Sequence, residues 1–336
     1  MNILLLRFSS MGDVILVSPV LTYLKTQYPE ASITFVTSGV YSSLFRSDPR
    51  VSFLIGVEKK QKSVQLSGPY DLVVDLQNNS RSKRFLKSSG ITNVTGSLNK
   101  FHLKRLLLLY LRLNFYPEYS SVPVRYLNAA GFQADEIPPV KLHFDSEPPS
   151  EFRNWVEKRG VMRPVVALFP FSAWKNKQWP GEYFIKVGRY FSAKGWNVLL
   201  MGGSEDVQES YEIHREIGSQ CLSLVGELSL DECGRVLKNC SLALGNDTGL
   251  SHLARSCQVR TGIIYGPTTS HFGFYPYGIP PFRVFEEKLW CRPCHPHGGN
   301  RCPLGHWHCM KKLLPEMVIE GMEDLSGFEK ETHVSG

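Results

Sequence analysis

Three short polar segments, each directly after an apolar run, contain residues that could perform chemistry. The first is Ser9-Ser10-Met11-Gly12-Asp13, which follows the run Ile3 to Phe8. Gly12 lets the backbone turn sharply, and the helix expected to start there offers unpaired amide groups. Asp13 has two interpretations. It is either a helix N-cap, worth about 1 kcal/mol, or a general base that removes a proton from a hydroxyl group.

The second segment, Phe169 to Pro180, also follows an apolar run and precedes a predicted helix. It carries Ser172, Lys175 and Lys177. A hydroxyl, two ammonium groups and a helix start could together cradle a diphosphate, with a lysine offsetting the charge that grows on a leaving group. The alternative is that these lysines are only solvated loop residues.

The third segment, Gly245 to Leu253, lies between a predicted strand and a short helix. The amides of Thr248 and Gly249 at a helix N-terminus suit a pyrophosphate, because they bring donors with little steric bulk. A carboxylate would repel that group, so Asp247 is expected to orient the loop or to bind a hydroxyl. Tyr265-Gly266-Pro267-Thr268 follows the next strand and could close the same pocket.

A basic cluster extends from the Asp75 to Arg84 segment, and its predicted binding residues are Arg81, Arg84 and Lys104. Guanidinium groups bind phosphates and carboxylates bidentately, so the cluster could hold an anionic ligand. A solvated basic face is the alternative. The segment Phe101 to Leu113 mixes basic and apolar residues in a way that suits an anionic membrane surface.

Four cysteines in segment 290–310 have the spacing C-x2-C-x7-C-x6-C: Cys291, Cys294, Cys302 and Cys309. Four thiolates at this density could hold a structural zinc ion and so stabilise a loop that has little apolar core. The alternative is a reduced loop packed by Trp290 and Trp307.

These segments need a scaffold that places strand ends close together. A chain of 336 residues has room for two cores. Short apolar runs alternate with helical stretches in both halves, which predicts parallel sheets covered on both faces. A proline-rich linker from Glu136 to Ser150 separates the halves. We therefore expect an α/β fold with two Rossmann-like domains, 1–150 and 151–336, that bind ligands at the C-terminal ends of their strands.

The composition indicates where the protein works. The net charge of +7 is a mild basic excess that suits an acidic ligand or surface. The N-terminus lacks the features of a signal peptide, and no apolar run approaches the ~20 residues of a membrane span. Eight cysteines without an export signal indicate a reducing compartment. We expect a cytoplasmic protein, with peripheral contact to the inner face of the cytoplasmic membrane.

In combination and in this order, the segments resemble glycosyltransferase family 9, the lipopolysaccharide heptosyltransferases. The matching residues are Ser9-Ser10-Met11-Gly12-Asp13, Lys177-Gln178-Trp179-Pro180, Asp247-Thr248-Gly249-Leu250-Ser251-His252 and Tyr265-Gly266-Pro267-Thr268. The resemblance implies a GT-B fold whose domains face a central cleft. It also implies that the N-terminal domain binds a lipid-linked anionic oligosaccharide acceptor, and that the C-terminal domain binds a nucleotide sugar, usually ADP-heptose.

The resemblance also implies residue roles. Asp13 would be the base of an inverting transfer that needs no metal or other cofactor, with Lys177 supporting the leaving group. The implied donor site consists of Gly12, Ser172, Lys177, Glu205, Asp206, Asp247, Thr248, Gly249 and His252. Within it, Glu205 or Asp206 would hold the ribose. Ser10 joins Arg81, Arg84 and Lys104 at the acceptor site. The cysteine-rich segment resembles that of the heptosyltransferase II branch.

Two departures and two alternatives bear on this interpretation. Ser172-Ala173 stands where many relatives have threonines, and the ribose carboxylate is displaced or shortened to Asp206. These departures concern the donor identity more than the reaction type. One alternative is a nucleotide-sugar epimerase or hydrolase of the same architecture. The other is a basic, zinc-containing nucleic-acid-binding protein. The basic residues lie far in sequence from the cysteines, so we expect no nucleic-acid partner.

Overall fold

The computed structural model describes residues 1–66, 68–116, 121–133, 136–145, 147–158, 164–278 and 281–327. Residue 146 of the predicted linker and residues 328–336 of the predicted second domain lie outside these ranges. The chain divides into two compact units. The first comprises the described residues of Met1–Glu147 together with Leu230–Arg235 and Ser270–Pro276, and the second comprises the remaining described residues.

The first unit contains a five-stranded sheet in the order β3-β2-β1-β4-β5, in which every neighbouring pair is parallel. Its strands are β1 Asn2–Leu6, β2 Ser32–Ser38, β3 Phe53–Val57, β4 Leu72–Asp75 and β5 Gly96–Ser97. The central strand β1 is a continuous apolar run, as expected for a parallel strand covered on both faces. Its last four residues are fully buried.

The second unit contains a six-stranded parallel sheet in the order β11-β10-β9-β6-β7-β8. Its strands are β6 Val165–Phe169, β7 Asn197–Leu200, β8 Cys221–Ser223, β9 Leu242–Asn246, β10 Arg260–Tyr265 and β11 Phe282–Glu286. Both sheets have the doubly wound order, which reverses next to the first strand. That reversal is where open α/β sheets bind ligands. It lies between β1 and β4 in the first unit and between β6 and β9 in the second.

Helices connect the strands. They are α1 Met11–Ile15, α2 Ser18–Gln27, α3 Gly39–Ser42, α4 Ser80–Ser88, α5 His102–Leu106, α6 Val122–Ala129, α7 Ser150–Lys158, α8 Gly181–Ala193, α9 Val207–Ile217, α10 Leu230–Leu237, α11 Gly249–Ser256, α12 His308–Lys311 and α13 Pro315–Ser326. One turn of π-helix, Leu107–Leu111, continues α5. Among the described residues, no helix combines the length and apolar character needed to cross a bilayer.

The cores explain why these elements form. In the second unit, Phe184, Val187 and Phe191 line one face of α8 and pack with the buried side chains of the sheet, because their helical spacing places them together. In the first unit, alternate residues of β1 pack against Phe85 and Leu86 of α4. The predicted fold class, two Rossmann-like α/β domains with parallel sheets, is confirmed.

Candidate active site

Asp13 lies in the first turn of α1, at the point where the first sheet reverses its order. Ser10 is the N-cap residue of this helix. The Asp13 carboxylate turns back toward Ser10, and its Oδ2 accepts hydrogen bonds from the Ser10 backbone N–H at 3.1 Å and the Ser10 hydroxyl at 2.8 Å. The interpretation of Asp13 as the N-cap residue is therefore wrong, because Ser10 is the N-cap and Asp13 is the third helical residue of its capping box.

The other carboxylate oxygen of Asp13 is also fully engaged. Arg7, at the end of β1, forms an ion pair with Oδ1 at 2.8 Å, and the Tyr126 hydroxyl donates to Oδ1 at 3.2 Å. A carboxylate offers about four in-plane acceptor positions. The structure therefore fills all of them, two with the exposed Ser10 and two with the buried pair Arg7 and Tyr126.

The surroundings keep Asp13 ionised. Burial by itself would raise the pKa of Asp13, but the charge of Arg7 and the hydrogen bonds from Ser10 and Arg7 outweigh it and lower that pKa. Burial likewise raises the pKa of the Tyr126 hydroxyl well above its ordinary value, so this group remains a neutral donor. Asp13 is thus a carboxylate of fixed orientation at neutral pH.

The loop after β4 holds the loop after β1 in place. The side-chain oxygen of Gln77 accepts from the backbone N–H groups of Phe8 and Ser9, both at 3.1 Å. The Arg7 guanidinium donates to the carbonyl of Leu76. Because β1 and β4 are neighbours in the sheet, their loops meet at one edge, which explains how a short and partly exposed loop can present Asp13 in a single orientation.

Basic side chains surround this carboxylate within the first unit. Burial, followed by the charge of Arg7, lowers the pKa of Lys100, while the charges of Asp75 and Asp13 act in the opposite direction. Burial lowers the pKa of Arg125, which also senses the charge of Asp13. Cations are therefore close enough to Asp13 to interact with it electrically, as the binding of an anionic molecule there requires.

The predicted acceptor residues are distributed unevenly. The Arg81 guanidinium lies 4.6 Å above the ring of Phe8, next to the Asp13 loop. Arg84 donates to the Ser80 carbonyl within its own helix, and Lys104 lies over the ring of Phe101 at 4.8 Å. Ser10 contacts Asp13 directly. The structure therefore brings Ser10 and Arg81 to the Asp13 loop, whereas these contacts hold Arg84 and Lys104 to their own segments.

In the second unit, Lys177 and Asp247 form a buried ion pair where the second sheet reverses its order. Lys177 lies in the 3-10 turn Lys175–Lys177 after β6, and Asp247 follows β9. The Lys177 Nζ is 2.5 Å from Asp247 Oδ2, and the Thr268 hydroxyl donates to the same oxygen at 3.2 Å. Burial alone would raise the pKa of Asp247, but the charge of Lys177, then that of His252, and hydrogen bonds from Lys177 and Thr268 lower it.

The helix α11 starts beside this pair. Thr248 is its N-cap residue and Gly249 its first residue, so the unpaired amide groups of the first turn lie directly after Asp247. His252 Nε2 is 4.0 Å from Asp247 Oδ1. Asp247 thus orients Lys177 at a helix N-terminus. Of the two roles expected for Asp247, orienting the loop or binding a hydroxyl, these contacts fit the first.

Two asparagines fix the loop that carries Lys177. Asn246 is fully buried, accepts from the backbone N–H of Trp179 at 2.9 Å and donates to the carbonyl of Pro170 at 2.8 Å. Asn176 accepts from the backbone N–H of Gly299 at 2.7 Å and donates from its own backbone to the Gly299 carbonyl at 2.9 Å. The loop that carries Lys177 is therefore held by β9 on one side and by the cysteine-rich segment on the other.

The cysteine-rich segment also touches the loop that carries Thr268. The Arg292 guanidinium donates to the carbonyls of Gly266 and Thr268, and the Cys294 backbone N–H donates to the Pro267 carbonyl at 3.0 Å. Gly298 has a φ of +106°, and a Cβ there would lie 2.8 Å from Cδ of Lys177. Glycine is therefore required for the segment to approach the lysine so closely.

Of the remaining predicted donor residues, Ser172, Glu205 and Asp206 follow strands of the second sheet, whereas Gly12 is buried in α1 of the first unit. Ser172 is half-buried, and its hydroxyl accepts from the backbone N–H of Trp174 at 3.2 Å. Asp206 accepts from the Gly203 N–H at 2.8 Å, which caps the turn after β7. Burial, together with the charges of Glu205 and Glu209, raises the pKa of Asp206 despite this bond. Glu205 is exposed, so of the two predicted ribose ligands it is the more accessible.

The four cysteines of segment 290–310 lie near one another without forming a ligand set. Burial raises the pKa of the Cys309 thiol to about 11, and the charges of Cys294, Cys302 and Cys291 add to this effect. Across the described residues, no group of three or more His, Cys, Asp or Glu side chains is placed to hold a metal ion. All eight cysteines are described, and none forms a disulfide. The structural zinc stays a prediction.

Four residues of the site have no role predicted from the sequence: Arg7, Tyr126, Asn176 and Asn246. A partner for Arg7 could have been predicted, because Arg7 ends an apolar central strand and burying an unpaired charge costs free energy. The asparagines directly precede the predicted Lys177 and Asp247. Tyr126 lies more than one hundred residues from Asp13 in sequence, and no local pattern indicates the contact.

Comparisons with known proteins identify the family of this chain. The sequence profile described as "Glycosyltransferase family 9 (heptosyltransferase)" matches residues 61–308. A lipooligosaccharide heptosyltransferase 2 of Haemophilus influenzae is 26% identical over 97% of this chain and 99% of its own.

Solved structures share the fold. A glycosyl transferase family 9 structure from Veillonella parvula has a TM-score of 0.77 at 20% identity and covers 97% of both chains. The E. coli ADP-heptose lps heptosyltransferase II has a TM-score of 0.72 at 17% identity, covering 97% of this chain and 98% of its own. The profile match spans most of the sequence and both units, and so the chain belongs to glycosyltransferase family 9 and is a glycosyltransferase.

Proposed function

We propose that this enzyme transfers a heptose, or a closely related sugar, from an ADP-activated donor to an anionic glycan of the lipopolysaccharide inner core, with inversion and without a catalytic metal ion. The observation that carries the proposal is the Asp13 carboxylate, which is kept ionised and oriented where the first sheet reverses its order. A single displacement at an anomeric carbon needs one base for the attacking hydroxyl, and Asp13 is suited to that role.

The chemical step follows from these groups. The acceptor hydroxyl oxygen forms a bond to the anomeric carbon while the bond from that carbon to the diphosphate oxygen breaks. The hydroxyl proton passes to Asp13, and the leaving ADP takes the electron pair of the broken bond. Because the nucleophile enters opposite the leaving group, the anomeric configuration inverts.

The donor side of the proposal rests on Lys177 and the start of α11. An oriented ammonium group and the unpaired amides after Thr248 stabilise the negative charge that grows on a departing diphosphate. These groups provide positive charge without a metal ion. The donor is proposed as ADP-heptose because a heptosyltransferase structure of the same fold is named for that substrate.

The acceptor side rests on the cations near Asp13. Arg81, Lys100 and Arg125 belong to the same unit as Asp13, and an anionic glycan would find its phosphates and carboxylates matched by these groups. An acceptor of this class carries a lipid, so we propose that the enzyme works at the cytoplasmic face of the inner membrane.

The test is a transfer assay with the purified full-length chain, ADP-heptose, other nucleotide sugars and a heptose-free inner-core acceptor, with and without a chelator. We expect transfer from ADP-heptose that is unaffected by chelation and a product of inverted anomeric configuration by NMR. Retained configuration would contradict the single displacement, and loss of activity on chelation would contradict metal independence. Release of free sugar without acceptor as the main reaction would indicate a hydrolase instead.

A further inference from the structure

Six large apolar side chains between residues 103 and 115 are exposed: Leu103, Leu106, Tyr110, Leu111, Leu113 and Phe115. We call this set the 103–115 surface. Eighteen large apolar residues are exposed in the described part of the chain, so one third of them lie in thirteen consecutive residues. Single exposed apolar residues are common, but such a concentration marks a surface that meets an apolar environment.

The inner side of the segment that carries the 103–115 surface packs against the first unit. On its inner side Leu108 is 5% exposed and Tyr116 is 9% exposed, and both pack with Phe272. The rings of Tyr116 and Phe101 meet edge to face, with centroids 5.7 Å apart. One side of the segment is therefore fixed to the first unit while the other side carries the exposed side chains.

The charge around this surface has one sign. Residues 76–117 include eight lysines and arginines and no aspartate or glutamate. The whole chain has a net charge of +7, so this segment alone accounts for the basic excess and the remainder is close to neutral. The basic residues nearest the 103–115 surface are Lys100, Lys104, Arg105 and Arg112.

We propose that the 103–115 surface docks on an anionic lipid bilayer. Apolar side chains enter the boundary between headgroups and acyl chains, and neighbouring lysines and arginines attract the anionic headgroups. A protein partner would match such a surface with its own acidic residues, but an excess of one charge beside concentrated leucine, tyrosine and phenylalanine fits a lipid surface better. The inference deepens the membrane location given in the proposed function by naming the surface that docks, and it can be tested separately because docking needs neither donor nor sugar transfer.

The experiment is co-flotation of the full-length chain with vesicles of phosphatidylethanolamine and phosphatidylglycerol, and with vesicles of phosphatidylcholine alone. The test variant combines Leu106→Gln and Tyr110→Gln. Its matched control combines Phe53→Gln and Tyr211→Gln, which are each 61% exposed and lie outside the surface. We expect the wild type to bind the anionic vesicles, more weakly at high salt, and to bind phosphatidylcholine far less. The test variant should bind at least about tenfold more weakly and the control like the wild type.

Four results would overturn the docking proposal. They are absence of wild-type binding, equal binding to both vesicle types, unchanged binding of the test variant, and equal loss in the control. If the test variant instead turns a dimer into a monomer by light scattering without affecting vesicle binding, the surface joins two copies of the chain. Transfer to a delipidated, soluble acceptor is measured in parallel. Activity retained there while vesicle binding fails would reject docking and leave the proposed function standing.

Discussion

The two units each place a carboxylate beside a buried cation where their sheet reverses its strand order, yet the two pairs differ in how exposed their members are. In the first unit, Arg7 is the less exposed partner and Asp13 the more exposed, at 8% and 15% of their side chains. In the second unit, Lys177 and Asp247 are equally buried, at 10% each.

The comparison shows that the same type of carboxylate–cation pair can suit two different roles. In both pairs burial alone would raise the carboxylate pKa, and the cation lowers it instead. Under the proposed function, the cation in the first unit prepares a carboxylate to act as a base, and the carboxylate in the second unit prepares a cation to meet an anion. Which member works is decided by neighbours, the exposed Ser10 beside Asp13 and the helix start beside Lys177.

The largest effect is expected when the carboxylate of the first pair, Asp13, is replaced. Asp13→Asn keeps the shape but removes the base, so kcat should fall about 1,000-fold while donor affinity by calorimetry is unchanged. Asp48→Asn is the control, because Asp48 also pairs with an arginine, Arg50, but in a different part of the unit. Near-normal turnover of Asp13→Asn would refute the base assignment.

The second prediction concerns the removal of the cation from the Lys177–Asp247 pair. Lys177→Met should lower kcat about 100-fold and weaken ADP binding, since the growing diphosphate charge loses its cation. Lys175→Met, two residues away and exposed, should have a much smaller effect. The double variant Lys177→Met with Asp247→Asn removes the unpaired buried charge and should regain stability without regaining transfer. Recovery of transfer in the double variant would show that Lys177 serves only to neutralise Asp247.

A third prediction concerns pH and compares Arg7→Met with Arg7→Lys. In the wild type the lowered pKa of Asp13 places the acid limb of kcat below the ordinary carboxyl value of 3.8. The stabilising contribution of this carboxylate is present above that value and is lost as the pH falls through the folded-state pKa. Arg7→Met leaves only the Ser10 hydrogen bonds to oppose burial, so the acid limb should move up by at least about one pH unit. Arg7→Lys keeps the charge and should stay closer to the wild type. If the acid limb of kcat lies at the same pH in both variants, the charge of Arg7 does not set the pKa of Asp13.

The smallest expected effect comes from the hydroxyl of Tyr126. Tyr126→Phe removes one hydrogen bond to the ionised Asp13 carboxylate, worth about 1.5 kcal/mol, so kcat should fall about tenfold with little change in donor KM. Tyr190→Phe removes a comparable tyrosine–carboxylate hydrogen bond, to Glu323 in the other unit, and should leave kcat unchanged. Similar losses in both variants would mean that Tyr126 contributes only stability.

Much of the fold could be predicted because central parallel strands are continuous apolar runs. Predicted strands such as Ile3 to Phe8 and Val165 to Phe169 correspond to β1 and β6, which are buried on both faces. The strands β3, β5, β8 and β11, which are the edge strands of the two sheets, were not predicted. β3 and β11 each have only one buried residue, and β5 and β8 are two and three residues long, so none of them has the apolar signal of a buried strand.

The site could be predicted where its residues are local in sequence. Asp13, Lys177 and Asp247 follow strands, and the sheet order brings Lys177 and Asp247 together. The partners that tune them could not be predicted, since Arg7 and Tyr126 meet Asp13 only through tertiary packing. The cysteine-rich segment shows the same limit, because its support of the Lys177 loop depends on backbone contacts at Gly299, which residue type does not encode.

The filling of all four acceptor positions on Asp13 has a consequence for the stability of the donor. Under the proposed mechanism, a water molecule that attacks the sugar would also give its proton to Asp13, where each acceptor position is already engaged. An anionic acceptor that also binds the neighbouring cations could displace the exposed Ser10 hydroxyl, whereas a single water lacks those contacts. Spontaneous loss of the sugar to solvent is therefore expected to be slow, and the activated donor should survive until a true acceptor arrives.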